Sequence, residues 1–293
     1  MSWILAILLS AVVLGFYDVT KKHAVNRNAV MATLFLATLC GSAAVVTMAL
    51  LRYGIDAFRC TSREFLLILL KSCIVSASWI FEYAAMQVMP ISLATPIRAT
   101  SPLWILMGGV LLYHEIPTPL QGVGMLAIFI GYAMFAVCGS LEGFSWRGRG
   151  MSLILAGTLF GSISALYDKY LMNTLQLDPN LVQLYFSIDL VVILGIAALL
   201  HKGHTPFSWR WTIPATGLGL IVADFLYFRA VSNPESQISI LALMRRSNVL
   251  ISFGVGCILF HDKNIRRKAF GLAFILFGTI LLALCKAKVQ PSP

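Results

Sequence analysis

Charged residues are scarce in this chain of 293 residues: 12% are Asp, Glu, Lys or Arg, against about a quarter in soluble domains. With 59% hydrophobic residues, this scarcity excludes intrinsic disorder, which requires low hydrophobicity and high charge. A water-soluble globule is also excluded, because the apolar runs reach about 20 residues, the length of a membrane span. The composition therefore predicts an all-α integral membrane protein.

Cysteine pairs and cofactor motifs are also lacking. The six cysteines show no paired spacing, so neither a disulfide framework nor a zinc site is predicted. No phosphate-binding loop, nucleophile elbow or metal-binding helix motif occurs. We therefore expect no cofactor, no bound metal and no enzymatic activity, with an integral-membrane enzyme as the less favoured alternative. The net charge of +10 is expected to meet anionic lipid headgroups rather than nucleic acid.

What the chain does have is a series of apolar runs, each about as long as a membrane span. They fall near residues 3–22, 29–51, 65–86, 91–113, 119–138, 151–171, 181–200, 212–231, 238–260 and 269–286. A polar, glycine-rich segment separates the first five from the second five. We predict ten transmembrane helices, with repeat 1 over residues 1–140, a connecting loop over 141–149 and repeat 2 over 150–288.

The two halves share a pattern of charges and glycines. Residues 91–131 align with residues 238–278 at a shift of 147, and the first helices align at a shift of 150. The matched positions are Arg98 with Arg245, His114-Glu115 with His261-Asp262, Gly124 with Gly271, Gly131 with Gly278, and Tyr17-Asp18 with Tyr167-Asp168. Because each half has an odd number of crossings, the sequence predicts two inverted five-helix repeats, an architecture that recurs in secondary transporters.

The chain resembles the EamA-type branch of the drug/metabolite transporter (DMT) superfamily. The resemblance rests on a proline in the fourth helix, an acid at its end and two following glycines. These are Pro102, Glu115, Gly124 and Gly131, repeated as Asp262, Gly271 and Gly278, with Val249 in place of the proline. The resemblance implies a ten-helix, multi-pass carrier of small molecules, expected in the inner or plasma membrane, and leaves the substrate open.

Charged residues inside the apolar runs are the main candidates for function. We count five acidic and five basic ones: Asp18, Glu82, Arg98, Asp168, Lys169, Asp189, Asp224, Arg229, Arg245 and Arg246. A charge at the centre of a membrane helix costs about 2.5–3.5 kcal/mol on insertion scales, so such residues face a cavity or a charged partner. The equal numbers allow mutual neutralisation, which would leave the whole excess of +10 in loops and helix ends.

Two arginines occupy equivalent places in the two halves. Arg98 and Arg245 lie about seven residues into the fourth and ninth predicted helices, roughly 10 Å deep. A guanidinium at that depth can hold a carboxylate or phosphate of a substrate in a bidentate manner. Alternatively, each arginine pairs with a fixed acid such as Asp18, Asp168 or Asp224 and only orients helices.

Aromatic and acidic residues share helix faces in the third and eighth predicted helices, with spacings of three and four residues. These candidates for binding an amphipathic substrate are Trp79, Glu82, Tyr83, Asp224, Tyr227 and Arg229, together with Tyr167 in the sixth helix. An aromatic belt at the membrane interface is the alternative. Asp189 stands alone, as a substrate ligand or a partner for Arg229.

Two carboxylates, Asp168 and Asp18, are candidates for proton coupling because each lies inside a predicted helix after a tyrosine. Asp18 has the alternative of an intrahelical pair with Lys21 or Lys22, whereas Lys169 points about 100° away from Asp168. The His-acid pairs are expected to form turns or caps. Gly122, Gly124, Gly131, Gly271 and Gly278 are expected to allow close helix contact within the chain.

These features together predict a secondary transporter for a small anionic or zwitterionic metabolite, with alternating access and proton coupling as an option. The expected partners are the substrate, membrane lipids and protons, and the expected assembly is a monomer or homodimer. A flippase for lipid-linked sugars or polyprenyl phosphates is the main alternative. Eleven basic residues on one side of the predicted helices against five on the other place the termini outside the cytoplasm. The family resemblance implies cytoplasmic termini, so the orientation stays open.

Overall fold

The structure is a computed structural model that describes residues 2–25, 28–88, 98, 101–115, 117–140, 148–200, 206–248, 251 and 265–284. These residues are helical and contain no β-strand. The helices are α1 (Trp3–Val25), α2 (Val30–Tyr53), α3 (Ser62–Val88), α4 (Ser101–Tyr113), α5 (Pro119–Ser140), α6 (Arg149–Lys169), α7 (Pro179–Leu200), α8 (Thr212–Val231), α9 (Ile238–Arg245) and α10 (Ile265–Leu284). A 3-10 turn, Gly54–Phe58, follows α2, and a π-helical turn, Tyr170–Thr174, follows α6.

Helix starts are set by side chains that satisfy the first backbone N–H groups. At the start of α3, the backbone N–H of Thr61 donates to the Glu64 carboxylate at 2.8 Å, and the N–H of Glu64 donates to the Thr61 hydroxyl at 3.3 Å. Thr118 and Gln121 make the same reciprocal pair at the start of α5. These are capping boxes, which fix where each helix begins. Prolines begin α5 and α7, where a missing N–H costs nothing.

Six helices of the described part are long and apolar enough to cross a membrane: α1, α2, α3, α6, α7 and α8. Shorter apolar stretches occur in α4, α5 and α10. Within the described ranges, an all-helical architecture with several helices long and apolar enough to cross a membrane is therefore confirmed. The ten spans and the repeat boundaries stay predictions. Residues 141–147 of the loop predicted over 141–149 lie outside the described residues, as do most of residues 91–100 of the helix predicted over 91–113 and most of residues 249–260 of the helix predicted over 238–260.

The ninth helix differs from its prediction. The sequence predicts one apolar helix over residues 238–260, whereas α9 ends at Arg245 and a turn follows at Arg246–Ser247. The backbone N–H of Ser247 donates to the Met244 carbonyl at 3.1 Å, and the Ser247 hydroxyl donates to the same carbonyl at 2.7 Å. The Ser247 N–H thus bonds to the carbonyl three residues earlier, and not to the carbonyl four residues earlier as in an α-helix. The Ser247 side chain adds a second hydrogen bond to the same carbonyl. Interrupted helices of this kind line binding sites in transporters.

The two halves of the chain pack on each other through matched pairs of helices. Contacts join α1 to α8 and α6 to α3, α2 to α8 and α7 to α3, and α4 to α6 and α9 to α1. Three further contacts join counterparts directly: α5 to α10, α2 to α7 and α4 to α9. When each helix is replaced by its counterpart five positions along the chain, each of the nine contacts named above becomes another of them or remains the same contact. This pattern supports the predicted repeat, whose inversion across a membrane stays a prediction.

Glycines bring α5 and α10 into close contact. A Cβ atom on Gly131 would lie 2.6 Å from the Gly271 carbonyl oxygen, and one on Gly278 would lie 2.4 Å from the Gly124 carbonyl oxygen. The backbones can meet this closely only without side chains. The expectation of close packing within the chain is therefore confirmed for this pair of helices. Gly122 is different, since a Cβ there would meet nothing within 4 Å.

Candidate functional site

A narrow cleft with about 30 Å³ of free volume lies between α1, α2, α3, α7 and α8. Helices from both halves therefore wall it. Its polar and aromatic lining comprises Tyr17, Lys21, Thr33, Thr38, Trp79, Phe186, Ser187, Thr216 and Asp224. We call this space the central cavity.

Two opposite charges border the central cavity among its described lining residues. Lys21 comes from α1, and its ammonium lies 5.4 Å from the centre of the Tyr17 ring. Asp224 comes from α8 and is largely buried. The remaining polar groups are hydroxyls, and the apolar surface includes the Trp79 and Phe186 rings. The cavity wall thus carries one positive and one negative side chain among its described residues.

A buried network of charges begins at the cavity wall. Asp224 accepts a 2.5 Å hydrogen bond from Arg245 of α9, and the Arg245 guanidinium lies 4.2 Å from the centre of the Tyr227 ring. The Tyr227 side chain lies beside the carboxylate of Asp168 in α6. Asp168 in turn accepts a 2.5 Å bond from Lys71 of α3. We call these five residues the central network; it joins four helices from both halves.

Lys71 is the member of this network that the sequence analysis missed. Its side chain is 2% exposed, and its ammonium lies 4.2 Å from the centre of the Phe186 ring and 5.0 Å from that of Phe228. The predicted apolar run over 65–86 contains Lys71, so the count of charges inside runs should have included it. With Lys21, Lys22 and Lys286 at the run ends set apart, the corrected balance is six basic to five acidic residues, so an excess of +9, and not +10, lies at the run ends and outside the runs.

Both candidate arginines are engaged by carboxylates. Arg245 pairs with Asp224, one of the fixed acids considered from the sequence. Arg98 pairs with Glu82 of α3 at 3.1 Å, a partner that was not among those acids. The two halves thus carry equivalent pairs, each between an acid of the third or eighth helix and an arginine of the fourth or ninth. In this conformation, therefore, each arginine pairs with a fixed acid, as in the alternative considered from the sequence.

The other candidate acids have partners from distant parts of the chain. Asp18 accepts a 2.5 Å hydrogen bond from the Asn248 side chain, beyond the turn that follows α9. Lys21 lies over Tyr17, and the Lys22 side chain lies outside the described residues. Asp189 accepts a 3.0 Å bond from the Ser72 hydroxyl.

Arg229 is not the partner of Asp189 in this structure. It is exposed, and its guanidinium lies 5.3 Å from the centre of the Phe225 ring of the same helix. Helix geometry explains the difference, because the side chain of Arg229 projects from the outer face of α8 whereas Asp189 is directed towards α3.

The remaining predicted site residues are dispersed. Trp79 lines the central cavity. The Tyr167 hydroxyl donates to the Leu67 carbonyl at 3.3 Å, and its ring stacks on Tyr170. The side chain of Tyr83 lies outside the described residues. The sequence placed the site on the first, third, fourth, sixth, eighth and ninth helices, whereas the cavity uses α2 and α7 and is not lined by α4, α6 or α9.

The His-acid pair at the end of α4 forms a cap, as expected, but for another helix. Glu115 accepts hydrogen bonds from the backbone N–H groups of Ile238 and Ser239 at the start of α9. His114 adopts a positive φ of 51° as the chain leaves α4. The second pair, His261 and Asp262, lies outside the described residues. Within the described ranges, no three His, Cys, Asp or Glu side chains are placed to hold a metal ion.

Comparison with known proteins gives a family and a fold. Residues 1–137 match the model of the EamA-like transporter family. A solved structure titled "Crystal structure of protein" matches with a TM-score of 0.78 at 15% sequence identity, covering 96% of this chain and 98% of that one. At that identity the likeness concerns the fold alone. No curated protein matches the chain. Residues 1–137 are therefore similar to the EamA-like transporter family, in agreement with the resemblance that the sequence predicted.

Proposed function

We propose that this protein is a secondary transporter that binds a small zwitterionic metabolite in the central cavity and moves it by alternating access. The observation that carries the proposal is the cavity itself: helices of both halves wall it, and Lys21 and Asp224 border it. A zwitterion can bring its anionic group to the lysine, and its cationic group can share the Asp224 carboxylate with Arg245. Substrate sites between two repeats are typical of secondary transporters, and the EamA-like family consists of transporters.

A purely anionic metabolite fits the site less well. The guanidinium groups of Arg98 and Arg245 are held by Glu82 and Asp224, so neither arginine presents an uncompensated positive charge. Arg245 instead fixes the Asp224 carboxylate at the cavity wall. The Trp79 and Phe186 rings offer apolar surface, and they suit a zwitterion that also carries an apolar part.

Coupling to protons is the second part of the proposal, with Asp168 as the proton-binding group. Protonation of Asp168 would leave the buried Lys71 ammonium without its counter-charge. Removing one partner of a buried ion pair costs about 3–5 kcal/mol, so proton binding favours a rearrangement of α3 against α6. A pair with two such states can couple a proton to a movement of helices. Asp18, bound to Asn248, is the second candidate on the equivalent helix.

The proposed location is the inner or plasma membrane, and the proposed assembly is a monomer or homodimer. The basic excess outside the helices supports a location beside anionic lipid headgroups. Gly124, Gly131 and Gly278 are already used in the contact of α5 with α10 within one chain, which supports a monomer.

A ligand screen followed by transport measurements tests the proposal. The purified protein is heated with amino acids and other zwitterions, with organic anions and cations, and with lipid phosphates. A ligand at 100 times its Kd stabilises the folded state by about 2.7 kcal/mol, which raises Tm measurably. We expect a zwitterion to do so, and to enter proteoliposomes faster when a proton gradient is imposed.

Two variants locate the binding site. Asp224→Asn and Lys21→Gln should each raise the Kd for the zwitterion at least tenfold, because each removes the charge that meets one end of the ligand. Asp56→Asn is the matched control, since Asp56 is an exposed acid outside the cavity. Stabilisation by lipid phosphates alone would favour the flippase and overturn the proposal. An uptake rate that does not depend on the proton gradient would contradict the coupling role of Asp168.

A further inference from the structure

The ends of α4 and α6 meet the start of α9 in a buried polar cluster outside the central cavity. Its members are Glu115 after α4, Lys169 at the end of α6, and Ser236, Ile238 and Ser239 at the start of α9. We call this cluster the Glu115 latch. It joins α4 of the first half to α6 and α9 of the second.

The Glu115 carboxylate is fully engaged in the latch. One oxygen, Oε1, accepts hydrogen bonds from Lys169 Nζ at 2.5 Å and from the Ile238 backbone N–H at 2.8 Å. The other, Oε2, accepts from the Ser239 hydroxyl at 2.7 Å and from its backbone N–H at 3.3 Å. Glu115 is 6% exposed. A charged carboxylate can be this buried because four donors, one of them cationic, replace water.

Lys169 ties the same cluster to the segment that precedes α9. Its ammonium also donates to the Ser236 carbonyl at 3.0 Å, and it lies 5.2 Å from the centre of the Tyr113 ring. The Tyr113 hydroxyl donates to the Leu166 carbonyl of α6 at 2.6 Å. The end of α4 is therefore bonded to α6 and α9 at several points, all of them polar.

A glycine in α4 leaves the room that the latch needs. A Cβ atom on Gly109 would lie 2.6 Å from the Ser239 hydroxyl oxygen and 2.9 Å from Glu115 Oε2. Both distances are far shorter than van der Waals contact, so even an alanine would push the hydroxyl and the carboxylate away. A substitution at Gly109 can therefore disturb the latch although it removes none of the hydrogen-bonding groups of the latch.

The latch and the central cavity lie at opposite ends of the same short helix. α9 has eight residues, from Ile238 to Arg245, and is thus about 12 Å long. The latch holds its first turn, and the Arg245 guanidinium at its last residue holds Asp224 at the cavity wall. A turn at Arg246–Ser247 separates α9 from the following residues. α9 can therefore shift as a short rigid rod between the cavity and the latch.

We propose that the Glu115 latch is the gate at one end of the transport pathway, and that α9 links it to the substrate site at Asp224. The inference rests on the proposed function, since alternating access requires contacts between the halves to break in each cycle. Hydrogen bonds and ion pairs suit such a contact, because water takes their place when the gate opens and no buried group is left unpaired. The hydrogen bonds described above are those of the closed latch.

Chemical labelling of Ser236→Cys tests the gate. Ser236 is 2% exposed, so a cysteine there reacts with a water-soluble methanethiosulfonate only when the latch opens. Labelling above that of the native cysteines is measured in the parent and in Glu115→Gln. The glutamine loses the negative charge and replaces an acceptor oxygen with an NH₂ group, so we expect labelling at least tenfold faster. Glu64→Gln is the matched control, because Glu64 caps an exposed helix start and should leave the rate unchanged.

Gly109→Ala is the second variant, and it keeps every charge. It should also accelerate labelling of Ser236→Cys at least threefold, whereas Gly122→Ala, at a glycine with nothing within 4 Å, should not. A folded Glu115→Gln or Gly109→Ala protein that labels at the parental rate would overturn the gate and leave Glu115 as a static helix cap. Labelling needs no transported substrate. Faster labelling without any zwitterion uptake would therefore contradict the proposed function and not the opening of the latch.

Discussion

The contact of α5 with α10 joins the two halves through glycines, whereas the contacts of α6 add buried ion pairs to a close glycine contact, that of Gly157 with α3. Between α5 and α10, glycines let the backbones touch, so that Gly131 lies against the Gly271 carbonyl and Gly278 against the Gly124 carbonyl. Around α6, two neighbouring residues make buried ion pairs with different helices of the first half. Asp168 binds Lys71 of α3, and Lys169 binds Glu115 after α4.

The difference indicates which contact is suited to stay closed. No other group can take the place of a close packing contact between two helix backbones, so separating the helices leaves a gap. Ion pairs and hydrogen bonds can exchange with water or with another charge. The π-helical turn Tyr170–Thr174, directly after these two residues, adds a local departure from α-helical bonding, a feature frequent at functional sites. The α5–α10 contact therefore resembles a scaffold, and α6 a movable element.

The largest expected effect is at the Lys71–Asp168 pair. Lys71→Met leaves the Asp168 carboxylate buried without its counter-charge, and should lower the free energy of unfolding by about 3–5 kcal/mol. The double variant Lys71→Met/Asp168→Asn should recover much of that loss, because no charge is then unpaired. Thermal unfolding of the purified proteins in detergent measures both. A single variant as stable as the parent would break the comparison, since this contact would then not depend on charge.

A smaller effect is expected at the glycine contact. Gly131→Ala places a Cβ 2.6 Å from the Gly271 carbonyl oxygen, so α5 and α10 must move apart. Overpacking of this kind costs about 1–3 kcal/mol. Gly122→Ala is the control on the same helix, and it should be neutral or stabilising because alanine favours the helix. The same unfolding measurement separates the two, and an equal response at both glycines would contradict the close contact.

The positions of the helices were largely predictable from the sequence. Hydropathy and length alone predict a helix over residues 212–231, and α8 spans Thr212–Val231. The exception is α9, which ends at Arg245 although the apolar run continues. Mean hydropathy cannot detect that break, because it depends on where the hydrogen bonds of Ser247 and Asn248 go.

The charged residues of the site were predictable from the sequence, whereas several residues that line the cavity were not. Asp168, Asp224, Tyr227 and Arg245 were all singled out as charged or aromatic groups inside apolar runs, and the structure brings them together. The walls contributed by α2 and α7 combine apolar side chains with small and hydroxyl-bearing residues, none of which a charge rule selects. They include Thr33, Thr38, Gly41 and Ser187.

Pairings were the least predictable feature. An intrahelical pair with Lys21 or Lys22 was considered for Asp18, and Asn248, a partner that sequence spacing did not suggest, is 230 positions distant. The Lys71–Asp168 pair spans 97 positions and the Glu115–Lys169 pair 54. Sequence spacing identifies neighbours on one helix, whereas these partners meet only because α6 packs against α3 and α4.

The smallest effect is expected at the pair between Arg59 and Asp56, which is as close as many buried pairs but lies on the surface. The two atoms are 3.0 Å apart, and the side chains are 83% and 70% exposed. Water screens such a pair and both side chains lose freedom in forming it, so its net contribution is about 0–1 kcal/mol. Arg59→Gln should therefore leave Tm within a degree or two of the parent. A loss as large as that of Lys71→Met would mean that burial is not what separates the two kinds of ion pair, and the distinction between scaffold and movable contacts would lose its physical basis.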